Sequence, residues 1–327
     1  MRVLRRSAAQ GSTRALVCAC LFVSVHKTAF AAESTMELPA GGLAYVTQQT
    51  LVTDAEDTVI AAGLVRATYV VRNSGDGAHT GLIAFALPDI DMVGLDGSPV
   101  DNPAFDPQNL ANYVGFTASV DGQPAETFVE SRALALGLID VTAKLRELNL
   151  SLYPLHPDLT TQLAALPDAA RTELMARSLI RYNDGQWEPL WRLKTTLFWQ
   201  QSFAAGQTHT VAISYRPIAG TGTWNSEAAA ALQQRYCVPQ PVASELATRG
   251  EGTRPPAPLK WVHYMAYSGA TGRGAATAYR IAIETSPGAQ TAYTCHDGLK
   301  AEAAAGGRDK SLSNFTAEEE ILVLFVD

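Results

Sequence analysis

Five aspartates share one stretch of this chain: Asp89, Asp91, Asp96, Asp101 and Asp106. Hard carboxylate oxygens gathered on a single connection suit Ca²⁺, and two of them facing each other would suit acid–base hydrolysis. Their spacing is not the Asp-x-Asp-x-Asp-Gly run of an EF-hand. Pro99, Pro103 and Pro107 also favour an open path. Asp89, Asp91 and Asp96 come nearest to a ligand set. A solvated acidic loop accounts for them more simply, and no resident metal or other cofactor is expected.

A second constellation is Cys295-His296-Asp297, which reads at first as nucleophile, base and orienter. Neighbours in a strand point to opposite faces, so Cys295 and His296 are badly disposed to bond to each other. Beyond residue 31 the other cysteine is Cys237, and a Cys237–Cys295 disulfide is the simpler expectation. Zinc held by Cys237, Cys295, His296 and His263 lacks the paired-cysteine spacing of such sites. Gly269 to Gly274 carries Arg273 and could cradle an anion, but the Gly-Lys-Ser/Thr end of a phosphate loop is missing. His79, His156 and His209 are scattered and read as surface or turn residues. The chain has neither Gly-x-Ser-x-Gly nor His-Glu-x-x-His.

The elements that must position these groups are mostly strands. Trp191, Leu193, Thr195, Leu197 and Trp199 alternate with Arg192, Lys194, Thr196 and Gln200, and the period resumes with Val211, Ile213 and Tyr215. The spacing predicts a long hairpin over 189–217, about the connection containing Gly206. A strand over 59–72 and another over 80–87 flank an Asn-Ser-Gly-Asp-Gly turn and predict a second antiparallel pair. Residues 113–120 and 125–133 predict a third pair about Asp121-Gly122. From Ile139 the period lengthens, and Pro167-Asp168 opens a further helical pattern. A helical insertion over 134–187 thus separates β regions at 32–133 and 188–327, which are expected to pack as one unit. A short helix is expected at 227–235, an extended, mobile proline-rich loop at 239–258, and strands at 259–268, 277–285, 291–296 and 321–326.

Residues 1–31 differ in kind. Arg2, Arg5, Arg6 and Arg14 precede the apolar run Ala15 to Val25, and Ala29-Phe30-Ala31 offers small residues at a cleavage site. A signal peptide cut near Ala31 is expected, with a periplasmic or secreted product. Losing Arg2, Arg5, Arg6, Arg14 and Lys27 takes the formal net charge from −7 to −12. Nucleic acid is therefore not an expected partner. No later apolar run reaches the ~20 residues of a transmembrane helix.

Ala40-Gly41-Gly42-Leu43, Phe85-Ala86-Leu87-Pro88-Asp89-Ile90, Phe116-Thr117 with Val120-Asp121-Gly122, Leu193-Lys194-Thr195-Thr196 with Phe198-Trp199-Gln200-Gln201, Tyr236-Cys237 and the closing Phe315-Thr316 to Phe325 resemble an uncharacterised family of secreted proteobacterial proteins, a domain of unknown function. The resemblance covers nearly the whole chain after residue 31. It implies a family and brings no activity or catalytic residue.

The fold class expected is mainly β, with antiparallel sandwich-like sheets and a minor helical insertion. The function expected is a non-catalytic binding or interaction module for a protein or cell-envelope ligand. The competing expectation is a hydrolase of unrecognised type that uses the Asp-rich loop 89–106. Two carboxylates in a concave apolar pocket favour the hydrolase, and a flat exposed apolar patch favours an interaction module.

Overall fold

The computed structural model describes residues 43–45, 50–95, 100–102, 105–106, 108–225, 229–251, 255–266, 278–286, 290–296, 299, 308–312 and 319–327. Strands β1 (Leu43–Tyr45), β2 (Leu51–Ala61) and β3 (Leu64–Asn73) lead to β4 (His79–Ala86), β5 (Ile90–Asp91), helix α1 (Met92–Leu95) and β6 (Val100–Asp101). After a 3-10 turn at Leu110–Asn112 come β7 (Thr117–Val120), β8 (Gln123–Pro124), β9 (Phe128–Ala135) and β10 (Ile139–Asp140). Helices α2 (Thr142–Glu147), α3 (Leu159–Ala164) and α4 (Asp168–Ala176) precede a ribbon of β11 (Ile180–Asn183) and β12 (Gln186–Pro189). The chain continues through β13 (Arg192–Phe203), β14 (Thr208–Tyr215), β15 (Ala219–Thr223), α5 (Ala229–Tyr236) and α6 (Gln240–Glu251). It closes with β16 (Pro258–Ala266), β17 (Ala278–Ile283), β18 (Thr291–Tyr293), β19 (Arg308–Leu312) and β20 (Glu319–Val326).

Besides the β11-β12 ribbon, the described residues form three larger sheets. A seven-stranded sheet runs β19-β17-β2-β3-β14-β7-β8, a six-stranded sheet runs β1-β4-β13-β9-β10 with β5 also on β13, and a five-stranded sheet runs β18-β20-β16-β15-β6. The protein is mainly β, and its ladders are antiparallel except where β17 meets β2. Val65, Tyr69 and Val71 of β3 with Val211, Ile213 and Tyr215 of β14 share one apolar cluster with Ile83 and Phe85 of β4 and with Leu193, Leu197 and Trp199 of β13. Val262 and Tyr264 of β16 and Ile321, Val323 and Phe325 of β20 join the same cluster. The seven-stranded sheet is thus one layer of a sandwich, and the other two sheets share the second layer.

The alternation in β20 shows why its sequence is apolar throughout. Ile321, Val323 and Phe325 face the sandwich core, while Leu324 and Val326 face the opposite side, where Tyr236, Val238, Ala243 and Leu246 of the α5–α6 segment cover them. A strand buried on both faces carries no polar stripe. The helical insertion does the equivalent for the six-stranded sheet. Leu145, Leu159, Leu163 and Leu174 pack on Ala133, Ala135 and Trp191, and the Trp191 indole N–H donates to the Leu152 carbonyl at 2.9 Å.

The predicted hairpins are corrected by the topology. β13 and β14 are consecutive, yet β13 pairs with β4, β5 and β9, whereas β14 pairs with β3 and β7. The connection at 204–207 is an arch that carries the chain from one layer to the other. The same holds for β3 and β4, and for β7 and β9, whose intended pairing about Asp121-Gly122 is made instead between β7 and the two-residue β8. Asn73, fully buried, joins two arches: its backbone N–H donates to the Gln207 carbonyl at 2.9 Å, while its side-chain amide donates to the carbonyls of Gly77 at 2.8 Å and Ala204 at 3.1 Å. A strand with one apolar face needs a cover for that face. An arch supplies it from the very next strand, whereas a hairpin would leave both faces on the same side.

Residues 239–258 are corrected as well, since Gln240–Glu251 is helix α6. Pro241 is its second residue, where the backbone N–H would have no intrahelical partner, so the proline costs nothing there. The strands expected at 259–268, 277–285, 291–296 and 321–326 correspond to β16, β17, β18 and β20, and α5 falls where the short helix was expected.

Candidate functional site

The loop that leaves β4 runs Leu87-Pro88-Asp89 into β5, and it meets the end of β14 and the strands β15 and β16 at the junction of the three sheets. A concave pocket of ≈ 290 Å³ lies there, walled by Leu87, Pro88, Ile90, Val100, Val114, Pro217, Ile218, Tyr113, Tyr215 and Trp261. Asp89, Asp91 and His263 also line it. The volume stands at the lower edge of the roughly 300–1,000 Å³ usual for small-ligand sites.

Trp261 is held by its neighbour across the ladder. Gly220 lies opposite it, and a Cβ at Gly220 would sit 1.8 Å from the indole Nε1 and 2.0 Å from Cε2. The ring therefore lies flat across β15, in space that only glycine leaves open. Gly222, the next residue on that face, has the far edge of the ring within 3.4 Å of where its own Cβ would be.

The two pocket aspartates are met from β13. Asp91 Oδ2 accepts from the Arg192 guanidinium, and Asp91 Oδ1 accepts the Val93 N–H at 3.1 Å. Asp89 Oδ2 is 3.8 Å from both Arg192 Nη1 and Lys194 Nζ. These four side chains are all about one-third exposed and form an alternating charge cluster. Each carboxylate is thus met by a cation from β13. Tyr113 and Tyr215 are both held protonated well above the usual tyrosine range, because burial disfavours the phenolate.

The remaining predicted residues scatter. Asp96 lies outside the described residues. Asp101 accepts from Lys260 at 2.7 Å, and Asp106 accepts the Gln108 N–H at 2.8 Å within a turn. Among the described residues no group of three His, Cys, Asp or Glu side chains is disposed to hold a metal. Cys237 and Cys295 form a disulfide with Cα atoms 5.0 Å apart, so neither thiol is left as a nucleophile or zinc ligand. Asp297 and the glycine-rich 269–274 lie outside the described residues, as do residues 1–31, where a signal peptide was expected. His156 accepts the Asp158 N–H in a turn, as expected. His209 is a correction: it is buried, its Nδ1 lies 2.5 Å from Asp121 Oδ2, and its ring meets the edge of Phe203. Asp121 is held below the usual carboxylate range, first by the Thr210 backbone N–H at 2.8 Å and then by His209.

Sequence reasoning found Asp89 and Asp91 but missed the walls, Trp261 and Ile218 above all. One signal was present. Gly220-Thr221-Gly222 puts two glycines on one face of a strand, which marks a close approach by something large.

The fold and site define a β-sandwich protein with a small-ligand-sized pocket where its sheets meet. Within that class, the chain belongs to the family described as a domain of unknown function, DUF4424, whose model matches residues 31–324. No curated protein matches the chain. Among solved structures, it is similar to a provisionally assigned nutrient binding protein from Legionella pneumophila, at 11% identity and a TM-score of 0.40, over 88% of this chain and 70% of that one. It is also similar to an M1 zinc metallopeptidase from Deinococcus radiodurans, at 9% identity and a TM-score of 0.25, over 85% of this chain and 43% of that one.

Proposed function

We propose that this protein is a non-catalytic binding module whose site is the pocket at the sheet junction, and that it works outside the cytoplasm. The observation that carries the reading is the pocket itself: largely apolar walls, an indole fixed over Gly220, and two carboxylates that Arg192 and Lys194 already meet. Few convergent polar groups on an apolar surface are the usual composition of a small-molecule site. The Cys237–Cys295 bridge supports an oxidising compartment, as does the leader read from residues 1–31. Among the described residues no helix is long and apolar enough to cross a membrane.

The test is a thermal-shift screen of small molecules on the wild-type chain and on Val100→Phe, which fills the pocket from β6. A ligand at about a hundred times its Kd should stabilise the wild type by ~2.7 kcal/mol and leave the variant's melting temperature unmoved. Stabilisation that persists undiminished in Val100→Phe would move the site elsewhere. Asp89 and Asp91 in a concave, largely apolar pocket are the arrangement expected of the hydrolase, and that reading stands second because both carboxylates are met by cations, Arg192 and Lys194. Turnover of an ester or glycoside panel that vanishes in Asp89→Asn would favour it over the binding module.

A further inference from the structure

We infer that the ligand of this pocket is a compact, uncharged apolar molecule, selected against cations and anions alike by the balance of charge around the site. The inference rests on the binding reading above and concerns the class of ligand. Among the described residues, the acidic side chains on the wall are Asp89 and Asp91. From β13, Arg192 donates to Asp91 and stands 3.8 Å from Asp89, and Lys194 Nζ is also 3.8 Å from Asp89. These two carboxylates facing two cations leave no formal charge over for a ligand to neutralise. A ligand ammonium brought here would give up its hydration, find the carboxylates already engaged, and meet Arg192 and Lys194 as like charges. A ligand carboxylate would meet Asp89 and Asp91 in the same way. An uncharged ligand leaves the cluster as it is and gains the apolar walls.

The walls fit that choice. Leu87, Ile90, Val100, Val114 and Ile218 are aliphatic, and the rings of Tyr113, Tyr215 and Trp261 carry no charge, the tyrosines because burial disfavours the phenolate. The rings are also held before any ligand arrives. Tyr113 packs on Tyr153 with centroids 4.9 Å apart, Tyr215 packs on Phe85 at 5.8 Å, and Trp261 has its seat on Gly220. A preformed wall saves the ordering cost that weakens small-molecule binding. The volume of ≈ 290 Å³ is about twice the ~150 Å³ of an apolar cavity that takes a single benzene, so a molecule of one or two rings fits.

Three probes of similar size and different charge test this on the full chain by calorimetric titration: phenethyl alcohol, phenethylamine and hydrocinnamate. Because His263 also lines the pocket, the titrations are run at about pH 7.5, a unit above the ordinary imidazole value. The alcohol should bind at least about tenfold more tightly than either charged probe, and Val100→Phe should abolish its binding. Tilting the balance should tilt the selectivity. Lys194→Met leaves one carboxylate in excess and should narrow the amine's deficit, whereas Asp89→Asn leaves one cation in excess and should narrow that of hydrocinnamate. Retained affinity for the alcohol in both variants reports that the pocket is still formed. Amine or acid binding the wild type as tightly as the alcohol overturns the assignment while the pocket stands, and so does an order of affinities that neither variant shifts. Alcohol binding that survives Val100→Phe overturns the site. If none of the three binds, the best stabiliser from the small-molecule screen takes the alcohol's place and its charge decides. A screen without a hit ends the binding reading itself.

Discussion

Glu56 is a buried ionisable side chain with a direct consequence for stability. It lies on the core face of β2, 4% exposed, with its Oε1 accepting from Thr58 Oγ1 at 3.0 Å and from the Tyr264 hydroxyl at 3.5 Å. Burial pushes its carboxyl from 4.5 up to about 8, against the opposing pull of hydrogen bonds from Thr58, Tyr264 and Tyr69. Tyr69 and Tyr264 are themselves raised, first by burial and then by the neighbouring Glu56. The sign of the linkage follows. Between pH 4.5 and about 8 the folded chain holds a proton that the unfolded chain has released, so stability falls with rising pH across that window and levels off above it. The span corresponds to an amount on the order of 5 kcal/mol. Glu56→Gln keeps a hydrogen-bonding group that cannot ionise. It should raise the melting temperature relative to the wild type above pH 8 and lose that advantage near pH 4. Melting curves of the two proteins that stay parallel from pH 4 to 9 would contradict the assignment.

At the scale of elements, β15 is the strand whose role its composition conceals. Ala219-Gly220-Thr221-Gly222-Thr223 has little to bury of its own, yet it pairs with both β16 and β6 and sets the floor under Trp261. Gly220→Ala would require the indole to leave, since no side-chain rotation of the alanine relieves a contact of 1.8 Å. The expected result is a loss of about 1–3 kcal/mol from overpacking, a changed Trp emission and weakened binding of any pocket ligand. Gly222→Ala meets the ring at 3.3–3.4 Å and should be milder. Equal behaviour of the two variants would show that the ring is free to move. The α5–α6 pair makes a complementary point, because its mean character is polar and it folds by covering one face of β20 and β16.

For the whole molecule, the disulfide decides how the outer helical layer is attached. Cys237 follows α5, Cys295 follows β18, and the bridge closes a loop with a sequence separation of 58. In the chain-entropy account such a loop is worth about 4 kcal/mol. Cys295→Ser should therefore lower the melting temperature and make 229–251 the first site of proteolysis, while the two-layer sandwich keeps its far-ultraviolet signature. Cleavage beginning instead in β3 or β13 would mean that the bridge stabilises the sandwich directly. The layers themselves are joined by arches at 74–78 and 204–207 that Asn73 ties together, so the sandwich is built from connections between sheets as much as from ladders within them.

What the residues alone determined was local and one-dimensional. The alternation in 192–203 and 208–215 specified strands and their buried faces, the lengthened period after Ile139 specified helices, and Cys237 with Cys295 specified a bridge. Asp89 and Asp91 stood out because acidic residues on a loop are conspicuous in any sequence. Partner choice was decided only in three dimensions. Period-2 alternation says which face of β13 is apolar and is silent on whether β14 lies beside it or across from it, and the energy gained by burying both faces against each other selected the arch. The pocket follows from that choice: Trp261, Ile218, Val100 and Asp89 are distant in sequence, and they meet because the ends of three sheets converge where the chain changes layer.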